Sequence, residues 1–201
     1  MNQIIAIDGD GVLLDNHQAY RQAWHKAFGV LPKLKDPLAY WPMDRWDVHQ
    51  LDGADHDRFR KCFDYQFWSN VPAVPGAVDA ALKLHEVGYE LVCVTALDSQ
   101  FESARLKNLQ NLGFPIERVV ATNNDRDQVS PKAAVLYSLK PVAFVDDYLP
   151  YLFGITAGIH KALILREPNG SPNIGPLLAA AHSQHDDLTD FVSWWIGQNE
   201  K

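Results

Sequence analysis

The chain alternates short apolar runs with longer segments in which apolar residues recur at helical spacing. Five of the runs predict strands, at residues 4–7, 90–95, 118–121, 142–145 and 162–165. They are apolar at nearly every position, which is typical of parallel strands buried on both faces. Because helical segments separate the strands, the pattern predicts an α/β protein with a doubly wound, Rossmann-like parallel sheet of five strands.

Three helices are predicted between these strands, at residues 76–88, 101–112 and 132–139. Each shows apolar residues three or four positions apart, so that one face can pack on the sheet. In the first helix, the larger apolar side chains are expected to face inward. These are Val78, Leu82, Leu84 and Val87.

Residues 17–72 interrupt the alternation, because no convincing strand lies among them. Helices are predicted at 19–28 and 56–68, separated by a stretch rich in Pro, Trp and Asp. Four of the six tryptophans fall in this insertion, namely Trp24, Trp41, Trp46 and Trp68. The favoured interpretation is that they form a small separate core. The alternative is that some of them line a substrate pocket beneath a helical cap.

Composition and charge restrict the class of protein. A chain of 201 residues, 47% hydrophobic and 21% charged, can bury one core and a modest inserted subdomain. The net charge of -7 argues against a nucleic-acid polymer or an anionic membrane as partner, because both recruit basic surfaces. A small anionic substrate stays compatible, since one metal ion and one lysine reverse the local field. Two unrelated cysteines, no signal peptide and no apolar run of membrane-spanning length predict a cytoplasmic protein.

The candidate chemistry begins directly after the first strand, at Asp8-Gly9-Asp10-Gly11. Two such carboxylates can point to one place beyond the carboxyl edge of the sheet, where open α/β folds bind ligands. The glycines allow a sharp turn and a close approach to a ligand. A calcium loop has a similar composition, but it needs an oxygen ligand at its fifth position and glycine at its sixth. Val12 holds the fifth position here, so we exclude a calcium loop.

Three further polar sites lie at the ends of predicted elements. Thr95 ends the second strand, Lys132 opens a helix, and Asp146-Asp147 closes the fourth strand. Taken alone, each has an ordinary explanation as a strand residue, a solvated lysine or a helix cap. Because all of them fall around the same edge of the sheet as the first motif, their arrangement favours one common site.

In these motifs the chain resembles the haloacid dehalogenase (HAD)-like hydrolases. The four motifs of that family match at Asp8 and Asp10, at Thr95, at Lys132, and at Asp146 and Asp147. The resemblance implies a five-stranded catalytic core formed by residues 1–15 and 73–201. It also implies a helical cap, residues 16–72, inserted just after the first motif.

The resemblance further implies the role of each residue. Asp8 would attack phosphorus and form an aspartyl-phosphate, while Asp10 would protonate the leaving oxygen and later deprotonate water. The phosphoryl oxygens would be held by Gly9, Thr95, Ala96 and Lys132. Since an alkoxide leaving group needs a proton and a halide does not, Asp10 favours a phosphatase over a dehalogenase.

The implied cofactor is Mg²⁺, a hard ion that prefers oxygen ligands. The ion would be bound by the Asp8 carboxylate, the Asp10 carbonyl and a carboxylate of the fourth motif. By analogy with family members, we expect Asp147 as the direct ligand and Asp146 as the partner behind it.

The substrate is predicted only as a small phosphorylated metabolite. Residues 74–77, Val-Pro-Gly-Ala, and the Asp-Asp pair are similar to the deoxyribonucleotidase branch, in which aromatic cap residues stack on the base. The candidate counterparts are Trp24, Trp41, Trp46 and Phe67. A mononucleotide is therefore one candidate, beside sugar phosphates. Arg126, in a turn-rich loop, is a further candidate contact for a substrate anion.

Two other functions stay open at this point. One is a non-catalytic or regulatory module that keeps the fold, because fold does not determine function. The other is a phosphotransferase of the mutase type, which passes the phosphoryl group to a sugar hydroxyl. The sequence leaves the oligomeric state open as well.

Overall fold

The computed structural model describes residues 2–123 and 130–199, and within them a six-stranded parallel sheet forms the centre of the fold. The strands are β1 (Ile4–Ile7), β2 (Glu90–Thr95), β3 (Ile116–Ala121), β4 (Ala143–Asp146), β5 (His160–Ile164) and β6 (Ser183–His185). They lie in the order β3-β2-β1-β4-β5-β6. Because β1 lies between β2 and β4, the strand order reverses beside it, and this opens a crevice at the carboxyl ends of β1 and β4.

Helices cover both faces of this sheet. Those in the described residues are α1 (Asn16–Phe28), α2 (Pro42–Arg45), α3 (Gly53–Arg60), α4 (Tyr65–Trp68), α5 (Ala77–Glu86), α6 (Glu102–Asn111), α7 (Ala133–Leu139) and α8 (Leu188–Asn199). Ile5 and Ile7 of β1 pack with side chains of α5, α6 and α8, whereas Ala6 packs with Leu136 of α7 on the opposite face. Both faces are therefore buried, which explains the continuous apolar runs.

The predicted α/β class and doubly wound parallel sheet are confirmed, but the number of strands is six instead of five. The sequence pattern does not reveal β6, because its residues Ser183, Gln184 and His185 are all polar. β6 pairs only with β5 and lies at the edge of the sheet. A short edge strand does not need the apolar run that marks a central strand.

Residues 56–68 form two helices, so the prediction of one helix there is wrong. α3 ends at Arg60 and α4 begins at Tyr65. Asp64 explains the new start, because its carboxylate accepts a hydrogen bond of 2.8 Å from the backbone N–H of Phe67. A carboxylate in this position caps a helix and favours its initiation.

The inward face of α5 differs from the prediction. Alanines carry most of that face, at positions 77, 80 and 81, followed by Leu84. Leu82 and Val87 are 37% and 50% exposed, so their predicted burial is wrong. The small alanine side chains let α5 pack closely against α8 and the sheet, so that the larger residues need not face inward.

The insertion forms no strand of the sheet within its described residues, as predicted. Its buried residues Ala23, Trp24, Phe59 and Cys62 form a cluster separate from the two cores of the sheet. For Trp24, the interpretation as part of a small separate core is therefore confirmed. The division into a catalytic core and a cap stays a prediction. Among the described helices, none combines the length and the apolar character that a membrane crossing requires.

Candidate active site

The first motif forms a tight loop at the carboxyl end of β1. The backbone N–H of Asp8 donates to the Val145 carbonyl of β4 (2.9 Å), which fixes Asp8 over the crevice between the two strands. Gly11 has a φ of +94°, and a Cβ at this position would lie 2.8 Å from Nε of Arg166. Only glycine therefore fits here without moving a neighbouring charged side chain.

Lys132 joins the first and fourth motifs. It is fully buried just before α7, with its Nζ 2.5 Å from Oδ1 of Asp8 and 2.6 Å from Oδ2 of Asp146. Asp8 and Lys132 are 124 positions apart in the chain. The fold thus brings three predicted site residues into direct contact.

Burial controls the ionisation of these groups. It raises the pKa of Asp8 well above its usual range; Lys132 opposes this effect, and the nearby carboxylates of Asp146 and Asp147 add to it. Burial also raises the pKa of Asp146 to about 6, against the attraction of Lys132. For Lys132, burial alone would lower the pKa, but the carboxylates of Asp146 and Asp8 raise it above its usual range. The carboxylates are crowded, so a cation that approached them would stabilise their ionised forms.

Asp147 completes a group of three buried carboxylates. One oxygen from each of Asp8, Asp146 and Asp147 lies within 4.8 Å of the others. In the part of the chain that the structure describes, this is the one group of three or more carboxylate, imidazole or thiolate side chains close enough to share a metal ion. Carboxylate oxygens are the donors that Mg²⁺ and other hard cations prefer.

Three side chains bond Asp147, two of them at its carboxylate. Nε of Arg166 donates to its Oδ2 at 2.5 Å, and the Tyr40 hydroxyl bonds the same oxygen at 3.1 Å. Asn173 donates through Nδ2 to the Asp147 carbonyl at 2.6 Å. Burial raises the pKa of the Tyr40 hydroxyl, and the Asp147 charge adds to this, so Tyr40 acts as a donor. Since Tyr40 belongs to the insertion, the insertion reaches the candidate metal site directly.

The two carboxylates of the fourth motif differ in how their oxygens are used. Asp146 accepts from Lys132 at Oδ2 and from the Tyr148 backbone N–H at Oδ1 (2.8 Å). Oδ1 of Asp147, by contrast, has no hydrogen-bond partner among residues 2–123 and 130–199. This difference agrees with Asp147 as the direct metal ligand, which stays a prediction.

The residues predicted to hold phosphoryl oxygens lie beside the first motif. Thr95 is buried at the end of β2, and a Cβ on Gly9 would lie 3.3 Å from its hydroxyl oxygen. The Thr95 carbonyl accepts from the Thr122 N–H (2.9 Å), which secures the end of β2 against the chain after β3. Ala96, the next residue, is partly exposed.

Asp10 is turned towards α6. Both of its carboxylate oxygens lie within hydrogen-bond distance of Nη2 of Arg105, at 2.9 and 3.0 Å. The Arg105 side chain is fully buried, whereas that of Asp10 is 27% exposed. The predicted proton donor therefore contacts a cation that the sequence analysis does not identify.

Four partners of the predicted site residues were thus missed, and two of them have a sequence signal. Arg105 lies four positions before Leu109, an apolar residue of the predicted helix, so it shares the inward face of that helix. A charged residue at such a position is unusual unless it is paired. Arg166 directly follows the predicted fifth strand, and the end of that strand lies at the same edge of the sheet. Tyr40 and Asn173 follow no comparable pattern, because they lie in irregular segments.

The aromatic residues of the insertion are mostly engaged in packing. Trp24 and Trp46 are each 4% exposed, and Phe67 packs against Phe63 at 4.6 Å between ring centroids. Their rings therefore offer little surface for a base. Trp41 is 38% exposed, which leaves it as the candidate of that group. Arg126 lies outside the described residues.

Proteins of known structure share this fold. An L-2-haloacid dehalogenase aligns over 97% of this chain and 100% of its own, with a TM-score of 0.61 and 16% identity. A haloacid dehalogenase-like family protein from Streptococcus pneumoniae aligns over 96% and 98%, with a TM-score of 0.64 and 15% identity. A HAD family hydrolase from Deinococcus radiodurans R1, with bound phosphate and sodium, aligns over 98% and 96%, with a TM-score of 0.62 and 14% identity. No protein-family model matches the sequence, and neither does any curated protein.

The chain therefore has the fold of the HAD-like hydrolases, as its four motifs predict. The resemblance inferred from the sequence is confirmed at the level of the fold, over nearly the whole chain.

Proposed function

We propose that this protein is a Mg²⁺-dependent, HAD-like phosphohydrolase that hydrolyses a small phosphate monoester through an aspartyl-phosphate on Asp8. The buried contact of Lys132 with Asp8 and Asp146, at 2.5 and 2.6 Å, is the observation that carries the proposal. A carboxylate must be ionised to act as a nucleophile, and burial opposes its ionisation. The Lys132 ammonium counters that effect at the oxygen of Asp8.

The reaction then proceeds in two steps. A carboxylate oxygen of Asp8 attacks phosphorus while the ester P–O bond breaks, and the leaving oxygen takes a proton from Asp10. In the second step a water molecule gives a proton to Asp10 as it attacks phosphorus, which releases phosphate and regenerates Asp8. Thr95 and the backbone at Gly9 and Ala96 would hold phosphoryl oxygens during both steps.

The residues present fit a magnesium ion. Asp8, Asp146 and Asp147 are hard oxygen donors within 4.8 Å of one another, and their crowding favours a bound cation. Asp8 and Asp147 would hold it through their carboxylates and Asp10 through its backbone carbonyl, with Asp146 behind them. When bound, Mg²⁺ would shield the nucleophile from the anionic substrate and stabilise charge on the transferred phosphoryl group. The phosphate in the Deinococcus radiodurans structure supports this choice of substrate group.

Asp10 supports phosphate transfer over dehalogenation. A halide leaves without a proton, whereas an alkoxide requires one. The carboxyl group of Asp10, which Arg105 contacts, has a role in ester cleavage and none in dehalogenation. A mutase would use the same first step. The two functions differ in the group that accepts the phosphoryl group in the second step, which is water in a phosphatase and a sugar hydroxyl in a mutase.

A small substrate is the better proposal. The net charge of -7 disfavours a polymer of nucleotides. We propose a small phosphorylated metabolite, with Trp41 as the aromatic residue able to meet a base if the substrate is a mononucleotide.

Phosphate release tests the proposal. Wild type, Asp8→Asn and the exposed control Asp79→Asn are assayed on p-nitrophenyl phosphate, mononucleotides and sugar phosphates, with Mg²⁺ and with chelator. We expect metal-dependent turnover in wild type and Asp79→Asn, and none in Asp8→Asn, because an amide is not an anionic nucleophile.

The other outcomes identify the rival functions. Equal phosphate release by wild type and Asp8→Asn rejects the aspartyl-phosphate. A folded wild type that turns over nothing on the whole panel, with Mg²⁺ present, favours a non-catalytic module. Transfer of phosphate to added sugar in preference to water favours a mutase.

A further inference from the structure

Arg105 of α6 occupies an unusual position for an arginine. Its side chain has no exposed surface, and its Nη2 contacts both carboxylate oxygens of Asp10. The guanidinium also lies over the ring of Trp68, 5.2 Å from its centroid. Trp68 is the last residue of α4, so Arg105 lies between the first motif and the end of the insertion.

The other donors of this group are unsatisfied. Nε and Nη1 of Arg105, and Nε1 of Trp68, are buried without a hydrogen-bond partner within the described part of the chain. Unpaired buried donors are costly, and a buried ion pair is often replaced as a whole by apolar side chains without loss of stability. Packing alone would therefore be served as well by methionine or leucine. The charge of Arg105 has one described carboxylate partner, which is Asp10.

The exposed part of Asp10 matters as much as the part that Arg105 contacts. A carboxylate offers about four lone-pair sites, and Arg105 engages only one side of it. The Asp10 side chain is 27% exposed, so Arg105 does not enclose it completely. The contact with Arg105 fixes the orientation of the Asp10 carboxyl group. Because the side chain is not completely enclosed, there is room for a proton to be exchanged.

We propose that Arg105 is a positioning residue for Asp10, which it holds in the orientation from which Asp10 exchanges its proton with the leaving-group oxygen. This inference rests on the proposed function. Arg105 contacts Asp10 and the ring of Trp68, so it acts on the reaction through Asp10. The ring of Trp68 supports the guanidinium from the side of the insertion.

The test uses the leaving group. Loss of a correctly placed acid matters little for an ester whose alcohol leaves easily, and much for one whose alcohol is a strong base. We would measure kcat/KM for wild type and Arg105→Met on a series from p-nitrophenyl phosphate to alkyl phosphates, with Mg²⁺ at saturation. This parameter reports the first phosphoryl transfer, in which Asp10 acts as an acid.

We expect the loss of kcat/KM in Arg105→Met to grow along the series and to reach about 100-fold for alkyl esters, which is within the usual range for general acid catalysis. Arg105→Lys should recover part of it, because an ammonium on a flexible stem can reach one oxygen of Asp10. Arg118→Met is the matched control at an exposed arginine of β3 and should follow wild type. In Asp10→Asn, adding Arg105→Met should slow the reaction no further.

Two results would overturn the inference. One is a loss of kcat/KM in Arg105→Met that is equal for all esters. The other is a loss of kcat/KM on adding Arg105→Met to Asp10→Asn that is as large as the loss on adding it to the wild type. If Arg105→Met does not fold, Trp68→Leu and Arg105→Lys carry the same comparison, and a flat profile in both rejects the proposal. A wild type that hydrolyses no ester rejects the proposed function and this inference together, whereas an active wild type with flat variants rejects the inference alone.

Discussion

Asp146→Asn tests the electrostatic description of the site in the metal-free protein. The carboxyl group of Asp146 is fully buried, and burial raises its pKa from 3.8 to about 6. Asparagine resembles the protonated carboxyl group in size, and its oxygen can still accept from Lys132 or from the Tyr148 N–H. The substitution therefore removes the ionisation while it keeps most of the packing.

The sign and the size of the effect follow from the two pKa values. Below pH 3.8 the group is protonated in both the folded and the unfolded state, so its ionisation does not affect stability. Between pH 3.8 and 6 the unfolded chain ionises first, and the folded wild type loses stability as the pH rises. The loss amounts to about 1 kcal/mol at pH 4.5 and about 3 kcal/mol at pH 7.5, at 1.36 kcal/mol per pH unit.

Urea denaturation in chelator, followed by tryptophan fluorescence, measures this difference. We expect Asp146→Asn to gain about 2 kcal/mol of unfolding free energy relative to wild type between pH 4.5 and pH 7.5. Any constant difference in hydrogen bonding cancels in this comparison of two pH values. Asp79→Asn, at an exposed position of α5, serves as the control and should show no such change. A pH-independent difference between wild type and Asp146→Asn would refute the reasoning.

Two further predictions concern the metal. Mg²⁺ should raise the melting temperature of the wild type more at pH 7.5 than at pH 5, because protonation of Asp146 below its pKa of about 6 removes a negative charge beside the metal ligands. Equal shifts in differential scanning fluorimetry would contradict this. Tyr40→Phe removes the hydroxyl that bonds Asp147 but keeps the ring beneath Arg166. We expect its Mg²⁺ affinity to fall about tenfold, the lower end for partners that orient a metal ligand, and an unchanged Kd in titration calorimetry would show that Tyr40 has no such role.

Much of the fold could be predicted from local sequence. The central strands are marked by apolar runs, because strands covered by helices on both faces need apolar residues at every position. The ends of those runs locate Asp8, Thr95 and Asp146, and the carboxyl ends of parallel strands share one edge. The grouping of Asp8, Lys132 and Asp146 was predicted on this basis, and the structure places them in contact. β6 was missed because its three residues, Ser183, Gln184 and His185, are all polar.

The partners of the charged groups could not be predicted in the same way. Arg105 is 95 positions from Asp10, and Tyr40 is 107 positions from Asp147. Helical periodicity places Arg105 on an inward face, but it does not say which loop of the sheet that face meets. Tyr40 lies in an irregular segment, whose path depends on its contacts with the rest of the chain.

The sequence by itself therefore determined the class of fold, the edge of the sheet that carries the site and the identity of the carboxylates. These features depend on local periodicity and on the way parallel strands align. Only the tertiary structure decided that Arg105 holds Asp10, that Lys132 bridges two carboxylates and that Arg166 and Tyr40 orient Asp147. Such contacts depend on distances of a few ångströms between segments far apart in the chain, and those distances exist only once the core has packed.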